Sequence, residues 1–548
     1  MIFERFLNSQ TKTIGAAAGI LSLSALISRI LGLMREGLLS ATFGASSELD
    51  TYFAAFRIPD LVYNILIAGG IIVAFLPLFS EYLSKNEKEA WELTNNILNV
   101  FLALLIFLCV VLFIFTPALL KFVVPGFNLQ QIALATILTR LMLFSPILLG
   151  LSAIFSGVLQ HFNRFLVYGL CPILYNLGII FGIIFLTPSF GIFGVAVGVI
   201  LGALLHFLIQ IPPAIICGFK YKPIFNLKHP GIKRIFVLMV PRTFGIAVQQ
   251  INLIIITAIA STLVTGSITI FNFANNLQYL PIGIIGISFA VAAFPKLAQN
   301  WVKGDKEEFI ENFSSVFRKV LYLIIPLSLL MFILKTQIVN IILRHGQFDL
   351  ASAQLTSVSL GLFCFGIFAL SLIPLIFRAF FAFQDTKTPT LISIAGMILN
   401  VILSFYFVWL LSFSNIFYQF MTNTLNLQRI ENIQVLGLPL AFTIAGIFQF
   451  ILLMIFLYKK IGDYRLREIF NSFLKIFFAS VLMSFLVYFV LLLTSPIFNS
   501  QTFFGAFWQL AIAGSAGTIS YIVFTFLLKA PEITMIKPLI LNLKKFNN

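Results

Sequence analysis

IGAAAGILSLSALISRILGLMREGLLSATFGASSELDTYFAAFRIPDLVYNILIAGGIIVAFLPLFSEYL, residues 14–83, reads as two successive apolar helices joined by a short polar turn. Each run is near or above the ~20 residues needed to cross about 30 Å of hydrocarbon. Yet the first carries Arg29, Arg35 and Glu36, and the second carries Arg57 and Asp60. Ionisable groups at membrane depth cost several kcal/mol and face a bundle interior or a wet cavity, so they mark function by default.

The rest of the chain has the same character. Of its 548 residues 60% are hydrophobic and only 10% charged, with a mean hydropathy of +1.04. A soluble protein of this length is far more charged, so the composition specifies an all-α polytopic membrane protein. Apolar runs recur at 14–42, 51–83, 95–120, 130–158, 165–187, 190–217, 234–263, 269–295, 317–341, 355–383, 389–412, 434–458, 470–494 and 503–529. They predict about fourteen transmembrane helices. The first run is too long and too charged for a cleaved signal peptide. Cys109, Cys171, Cys217 and Cys364 stand singly in apolar runs, which indicates neither a disulfide framework nor a metal site. Without a Walker motif, HExxH or a Gly-rich nucleotide loop, ATP hydrolysis and metalloproteolysis have no support. No cofactor is expected, with a coupling ion or the membrane potential as open options for the driving force.

A formal net charge of +16 resembles a nucleic-acid signal only until the loops are read in order. Arg5 and Lys12 precede the first span. Lys85 and Lys88 follow the second, Arg164 the fourth, and Lys220, Lys222, Lys228, Lys233 and Arg234 the sixth. Lys296, Lys303 and Lys306 follow the eighth, Lys387 the tenth, Lys459, Lys460, Arg465 and Arg467 the twelfth, and Lys529, Lys537, Lys544 and Lys545 close the chain. The opposite loops hold little beyond Lys121, Arg344 and Arg429. By the positive-inside rule both termini are cytoplasmic, and the basic excess is topology, not nucleic-acid binding. The polar 412–437 connection has no assigned role.

Two segments repeat without a gap: QHFNRFLVYGLCPILYN (160–176) and QDTKTPTLISIAGMILN (384–400), each ending on Asn; Pro77 and Pro295 also correspond. The spacing is six spans, a recurring transporter design. It predicts an N-terminal lobe over 1–230, a C-terminal lobe over 231–460, and a helix pair with a basic tail over 461–548.

The embedded cations are all arginines: Arg29, Arg35, Arg57 and Arg140, with Arg242 and Arg378 nearer helix ends. Guanidinium stays charged and grips phosphate or carboxylate through two parallel bonds, so an anionic ligand held by the first half is expected. A packing role is the alternative. Arg29 and Glu36 are seven apart and share a helix face, and Arg57 and Asp60 at i and i+3 around Pro59 can pair with each other. Snorkelling is poor at mid-span, which favours function for Arg29 and Arg35. Neutral polar residues (Gln249, Gln250, Asn252, Asn272, Asn275, Asn276, Gln278, Asn400, Ser404) read first as interhelical hydrogen bonding.

SRILGLMREGLLSATFGASSELDTYFAAFRIPDLV resembles the opening of the MurJ/MviN lipid II flippases, of the multidrug/oligosaccharidyl-lipid/polysaccharide exporter superfamily. The likeness continues through TRLMLFSP (139–146), GVLQHFNRF (157–165), VPRTFGIAVQQINLII (240–255) and RAFFAFQDTKTPT (378–390). It implies two six-helix lobes around a cationic cavity, a last helix pair forming a lipid-tail groove, and a polyprenyl-pyrophosphate-linked disaccharide-pentapeptide as substrate. The family's functional arginines and acid match Arg29, Arg35 and Glu36, and Asp50 matches an acidic position opening the second helix. Two further family arginines are replaced, by Tyr63 and by Asn276, with Arg57 near the first. Where some members bind sodium through acids, this chain has neutral groups such as Asn400 and Ser404.

The residues taken as substrate-binding are therefore Arg29, Arg35, Glu36, Asp50, Arg57, Asp60 and Asn276. The expectation is a monomeric flippase of a bacterial inner membrane that moves lipid II by alternating access, with membrane lipids and no nucleic acid as its other partners. It is not an enzyme. Rival readings are a flippase for an O-antigen type glycolipid, a cation-driven drug exporter, which would need a carboxylate-rich cavity, and a scaffold, for which mid-span arginines are an unmotivated cost.

Overall fold

A computed structural model describes residues 13–430 and 432–535, and among these the chain is helical without a strand. Arg5, Lys12, Lys537, Lys544 and Lys545, on which the orientation partly rests, lie outside the described residues, as does the side chain of Arg242. Eleven helices are long and apolar enough to cross a membrane, or twelve if the bent pair Leu350–Cys364 and Ile367–Ala382 is one span. The chain is a multi-pass membrane protein.

Two of the fourteen apolar runs are helical but include side chains outside the described residues, and they are not among these spans. Residues 51–83 fall in Ser47–Val62 and Ile72–Lys85, joined by the π-helical Tyr63–Ile71. Residues 234–263 fall in Pro230–Ser261, of which only Gly245–Ser261 is a short apolar helix.

The chain packs as two compact units. One runs up to Thr269 and includes Gly346–Phe348; the other begins at Ile270 and holds the rest. The first unit contains α1 (Ile14–Phe43), α2 (Ser47–Val62), α3 (Ile72–Lys85), α4 (Glu87–Val123), α5 (Leu129–Met142), α6 (Phe144–His161), α7 (Phe165–Phe181), α8 (Ile192–Leu208) and α9 (Pro230–Ser261). Within it α1 packs on α7, α7 on α8, α2 on α5, and α9 on the π-helical stretch.

Local chemistry sets the ends of these elements. The Thr13 hydroxyl accepts from the Ala16 N–H to start α1, and Gly44 ends it at φ +63°. A Cβ at Gly44 would also lie 2.5 Å from the Gln347 carbonyl oxygen, so no other residue fits that turn. Asn128 and Gln131 form a reciprocal capping box on α5. Backbones approach closely where α7 meets α8: a Cβ on Gly178 would come within 2.3 Å of the Gly202 Cα. Small residues permit such contacts in lipid, where apolar burial alone does not drive helices together. That contact fixes α7, which carries Asn176.

The second unit holds Ser288–Val302, Lys306–Ile333, the bent pair, Lys387–Leu410, Gly437–Ile461, Leu466–Thr494 and Phe503–Leu527. Its terminal helices are tied to Lys306–Ile333. Arg318 lies between Glu468 (3.4 Å) and Glu532 (3.9 Å), and the Tyr521 hydroxyl donates to the Tyr322 carbonyl at 2.7 Å. Within the 412–437 connection the chain forms a short helix, Ile416–Thr424, opened by the Asn415 side chain.

Candidate functional site

The site is built on α1. Arg35 donates from Nη2 to Glu36 Oε1 at 2.6 Å and from Nη1 to Asn176 Oδ1 at 3.2 Å. Asn176 in turn donates to the Ser28 carbonyl and hydroxyl (3.3 and 3.2 Å) and to the Pro172 carbonyl at 3.1 Å. One amide thus clamps the guanidinium, its own helix and a neighbouring turn of α1. The Arg35 side chain keeps a quarter of its surface exposed while the Glu36 side chain keeps 7%. Of five N–H donors on arginine, two are committed here, which leaves three to meet an oxyanion.

This pairing differs from the helical-wheel expectation. Glu36 is engaged by its neighbour Arg35, not by Arg29 seven residues earlier. Side chains at i and i+1 ordinarily diverge on a helix; the long Arg35 stem reaches round while Asn176 holds the far side of its fork. Arg29 is half-buried and, among the described residues, makes no ion pair or hydrogen bond. The second oxygen of Glu36, Oε2, is buried without a hydrogen-bond partner among the described residues. Unsatisfied buried acceptors are rare in packed cores and ask for an explanation.

On α2 the expected Arg57–Asp60 ion pair is likewise not formed among the described residues. Arg57 donates from Nε to the Thr257 hydroxyl of α9 at 2.8 Å. Asp60 stands within electrostatic reach of both Arg57 and Arg35, next to Tyr52, Tyr63 and Tyr175. Arg35 and Arg57 thus stand with the carboxylates Glu36 and Asp60 in the first unit, and Arg29 lies two helical turns before Glu36 on α1. Tyr63 lines a cavity in the same unit.

Asp50 has a different occupation. Its carboxylate accepts from the Gly266 N–H (2.6 Å), the Thr269 N–H (2.8 Å) and the Thr269 hydroxyl (2.7 Å), capping the helix that starts at Ser267. Charged caps there complement the helix dipole. Asp50→Ala strands three buried donors, at about 1–3 kcal/mol each before relaxation. The expected result is a lower thermal midpoint of the purified protein, while Asp50→Asn, which retains one acceptor oxygen, loses less.

Asn276 lies in the second unit, half-buried on Ser267–Pro281. Two other embedded arginines are structural. Arg140 donates to the Phe113 carbonyl at 3.0 Å with its guanidinium 4.7 Å from that ring, and Arg378 covers Phe294. Asn400 is buried and accepts from the Ser404 hydroxyl at 3.5 Å. Among the described residues no three His, Cys, Asp or Glu side chains converge as a metal site would require. Sequence reasoning noticed Asn176 only as the end of a repeat; its place opposite Asn400 was the one available signal.

Residues 39–508 match the family model of the lipid II flippase MurJ. The lipid II flippase MurJ of Burkholderia cenocepacia is 30% identical over 397 residues, covering 70% of this chain and 76% of that protein. The probable lipid II flippase MurJ of Borreliella burgdorferi is 30% identical over 387 residues, 71% of this chain and 76% of the relative. Among solved structures, a lipid II flippase MurJ in an inward closed conformation superposes with a TM-score of 0.73 at 26% identity, covering 95% of this chain and 99% of that one. An inward-facing multidrug resistance transporter of the MATE family superposes with a TM-score of 0.66 at 15% identity, over 82% and 99%, a likeness of fold alone.

Proposed function

The chain belongs to the lipid II flippase MurJ family, and from that premise we propose that it carries lipid II from the inner to the outer leaflet of the bacterial cytoplasmic membrane by alternating access. It makes and breaks no covalent bond. The observation that carries this reading is the Arg35 fork, held at membrane depth by Glu36 and Asn176 with three donors to spare. Such a fork suits a pyrophosphate.

Arg29, Arg35 and Arg57 hold the pyrophosphate in this reading, Glu36 and Asn176 orient Arg35, and Asp60 balances charge. Asn276 is read as a neutral substrate contact of the second unit taken by itself, and Asp50 supports the scaffold rather than the substrate. The fold is read as fourteen spans: six-helix lobes over 1–230 and 231–460, then a helix pair over 461–548 that accommodates the lipid tail. The protein acts as a monomer with both termini in the cytoplasm. Neutral Tyr63 and Asn276 at family arginine positions leave more of the anion's charge to the first hairpin.

Rescue of a flippase-depleted bacterium, scored by lipid II reaching the outer leaflet, tests the function; growth arrest with lipid II retained inside contradicts it. Orientation has its own test. An engineered cysteine at Ser46 or Ser267 reacts with an impermeant reagent added outside, and one at Lys228 or Lys303 does not. The reverse pattern overturns the topology.

A further inference from the structure

Between α1, the π-helical stretch, α6, α7 and α8 lies a cavity of about 360 Å³. Leu21, Ile67 and Leu149 make much of its wall apolar, and no charged side chain lines it. Its polar groups are hydroxyls and one imidazole. The Ser24, Tyr63 and Tyr168 side chains that line it make no hydrogen bond among the described residues. His206 is part of a fixed relay. The Gln210 amide nitrogen donates to the Ser152 hydroxyl and, at 2.9 Å, to the His206 carbonyl, and Ser156 donates to Gln210 Oε1 at 2.9 Å. The Ser152 hydroxyl donates to the His206 carbonyl at 3.2 Å, and its oxygen lies 2.6 Å from His206 Nδ1.

A cavity of neutral donors and acceptors on an apolar, aromatic wall suits neither a pyrophosphate nor a cationic drug. It suits an uncharged ring with hydroxyls on its rim and C–H bonds on its faces. Its volume is at the low end of the ~300–1,000 Å³ usual for small-molecule sites, room for one ring and not for a whole saccharide-peptide head.

Its position relative to the arginine anchor narrows the choice. On α1, Ser24 and Ala25 of the cavity lie one turn before Ser28; on α7, Pro172 lies one turn before Asn176. Ser28 and Asn176 are bonded to each other, and Asn176 holds Arg35. On α2 and its π-helical continuation, Tyr63 follows Asp60 by three residues. On α1 the cavity residues lie about one turn, ~5.4 Å, before Ser28 and Arg29 and about three turns, ~15 Å, before Arg35, while on the other two helices they lie about one turn from Asn176 and Asp60. We propose that this cavity is the subsite for the sugar ring attached directly to the substrate's pyrophosphate. The proposal rests on the flippase reading and adds to it how a saccharide-bearing lipid is told from the bare carrier.

The test compares undecaprenyl pyrophosphate with undecaprenyl-pyrophosphoryl-N-acetylglucosamine, each titrated against the purified full-length protein in nanodiscs. The wild-type chain binds the sugar-bearing lipid more tightly. Tyr168→Phe and Ser24→Ala, which each remove one hydroxyl, cut that preference by about fivefold apiece, the scale of one hydrogen bond. Ala153→Leu, which adds bulk at a lining position, brings the preference toward one, and bare undecaprenyl pyrophosphate still binds. A preference that survives all three substitutions overturns the subsite, as does an equal loss for both lipids in Tyr168→Phe. If the wild-type chain binds neither lipid, the flippase reading fails and the subsite with it.

Discussion

Arg35→Ala stops delivery of lipid II to the outer leaflet at wild-type membrane levels of the protein. A hydrogen bond to a charged group is worth about 1.5–3 kcal/mol, so losing two from a pyrophosphate weakens its capture by two orders of magnitude or more. The substitution also leaves Glu36 buried and unpaired, since Arg35 is its ion-pair partner at 2.6 Å. Removing one member of a buried pair is destabilising, whereas replacing both by apolar residues is often tolerated. The double change Arg35→Leu with Glu36→Leu therefore restores the thermal midpoint and still does not flip. Arg35→Lys keeps the charge and loses the fork, so partial activity is the ceiling. Outer-leaflet lipid II at matched protein levels, read beside thermal midpoints, separates these effects. An active double-leucine protein would reduce Arg35 to a packing charge.

Arg29→Ala has a comparable effect on transport by a different route. Arg29 makes no hydrogen bond or ion pair among the described residues, so its removal strands nothing. Its thermal midpoint stays at the wild-type value, or rises, because a half-buried lone cation at membrane depth is costly to keep. Transport nevertheless fails. Arg29→Leu with Glu36→Leu fails as well, since Glu36 is not the partner of Arg29. Normal flipping by either variant would remove Arg29 from the site and leave Arg35 and Arg57 as its cations.

The membrane class, the helical fold and the arginine-bearing hairpin were legible because each depends on composition or on spacing along one helix. Length and apolarity marked eleven or twelve of the spans, and charge within an apolar run singled out Arg29 and Arg35 as candidates. Pairings were not legible. Helical spacing offered Glu36 to Arg29 and Asp60 to Arg57, yet Glu36 is held by adjacent Arg35, and Arg57 finds Thr257, two hundred residues away. Long guanidinium stems reach partners that a helical wheel does not place beside them. The partners of Asp50 were not legible either: its carboxylate accepts from the Gly266 and Thr269 N–H groups and the Thr269 hydroxyl, more than two hundred residues away. The cavity beside Tyr63 and Tyr168 was hidden for the same reason, because its lining comes from five segments and none of its residues is charged.

The most direct test of the central claim uses purified protein in liposomes loaded with fluorescent lipid II, with appearance at the far leaflet read by an impermeant quencher. Wild-type protein moves lipid II across, and Arg35→Ala, folded and present in equal amount, does not. Equal movement by both proteins, or none by either, would contradict the claim that this arginine fork carries the pyrophosphate of lipid II through the membrane.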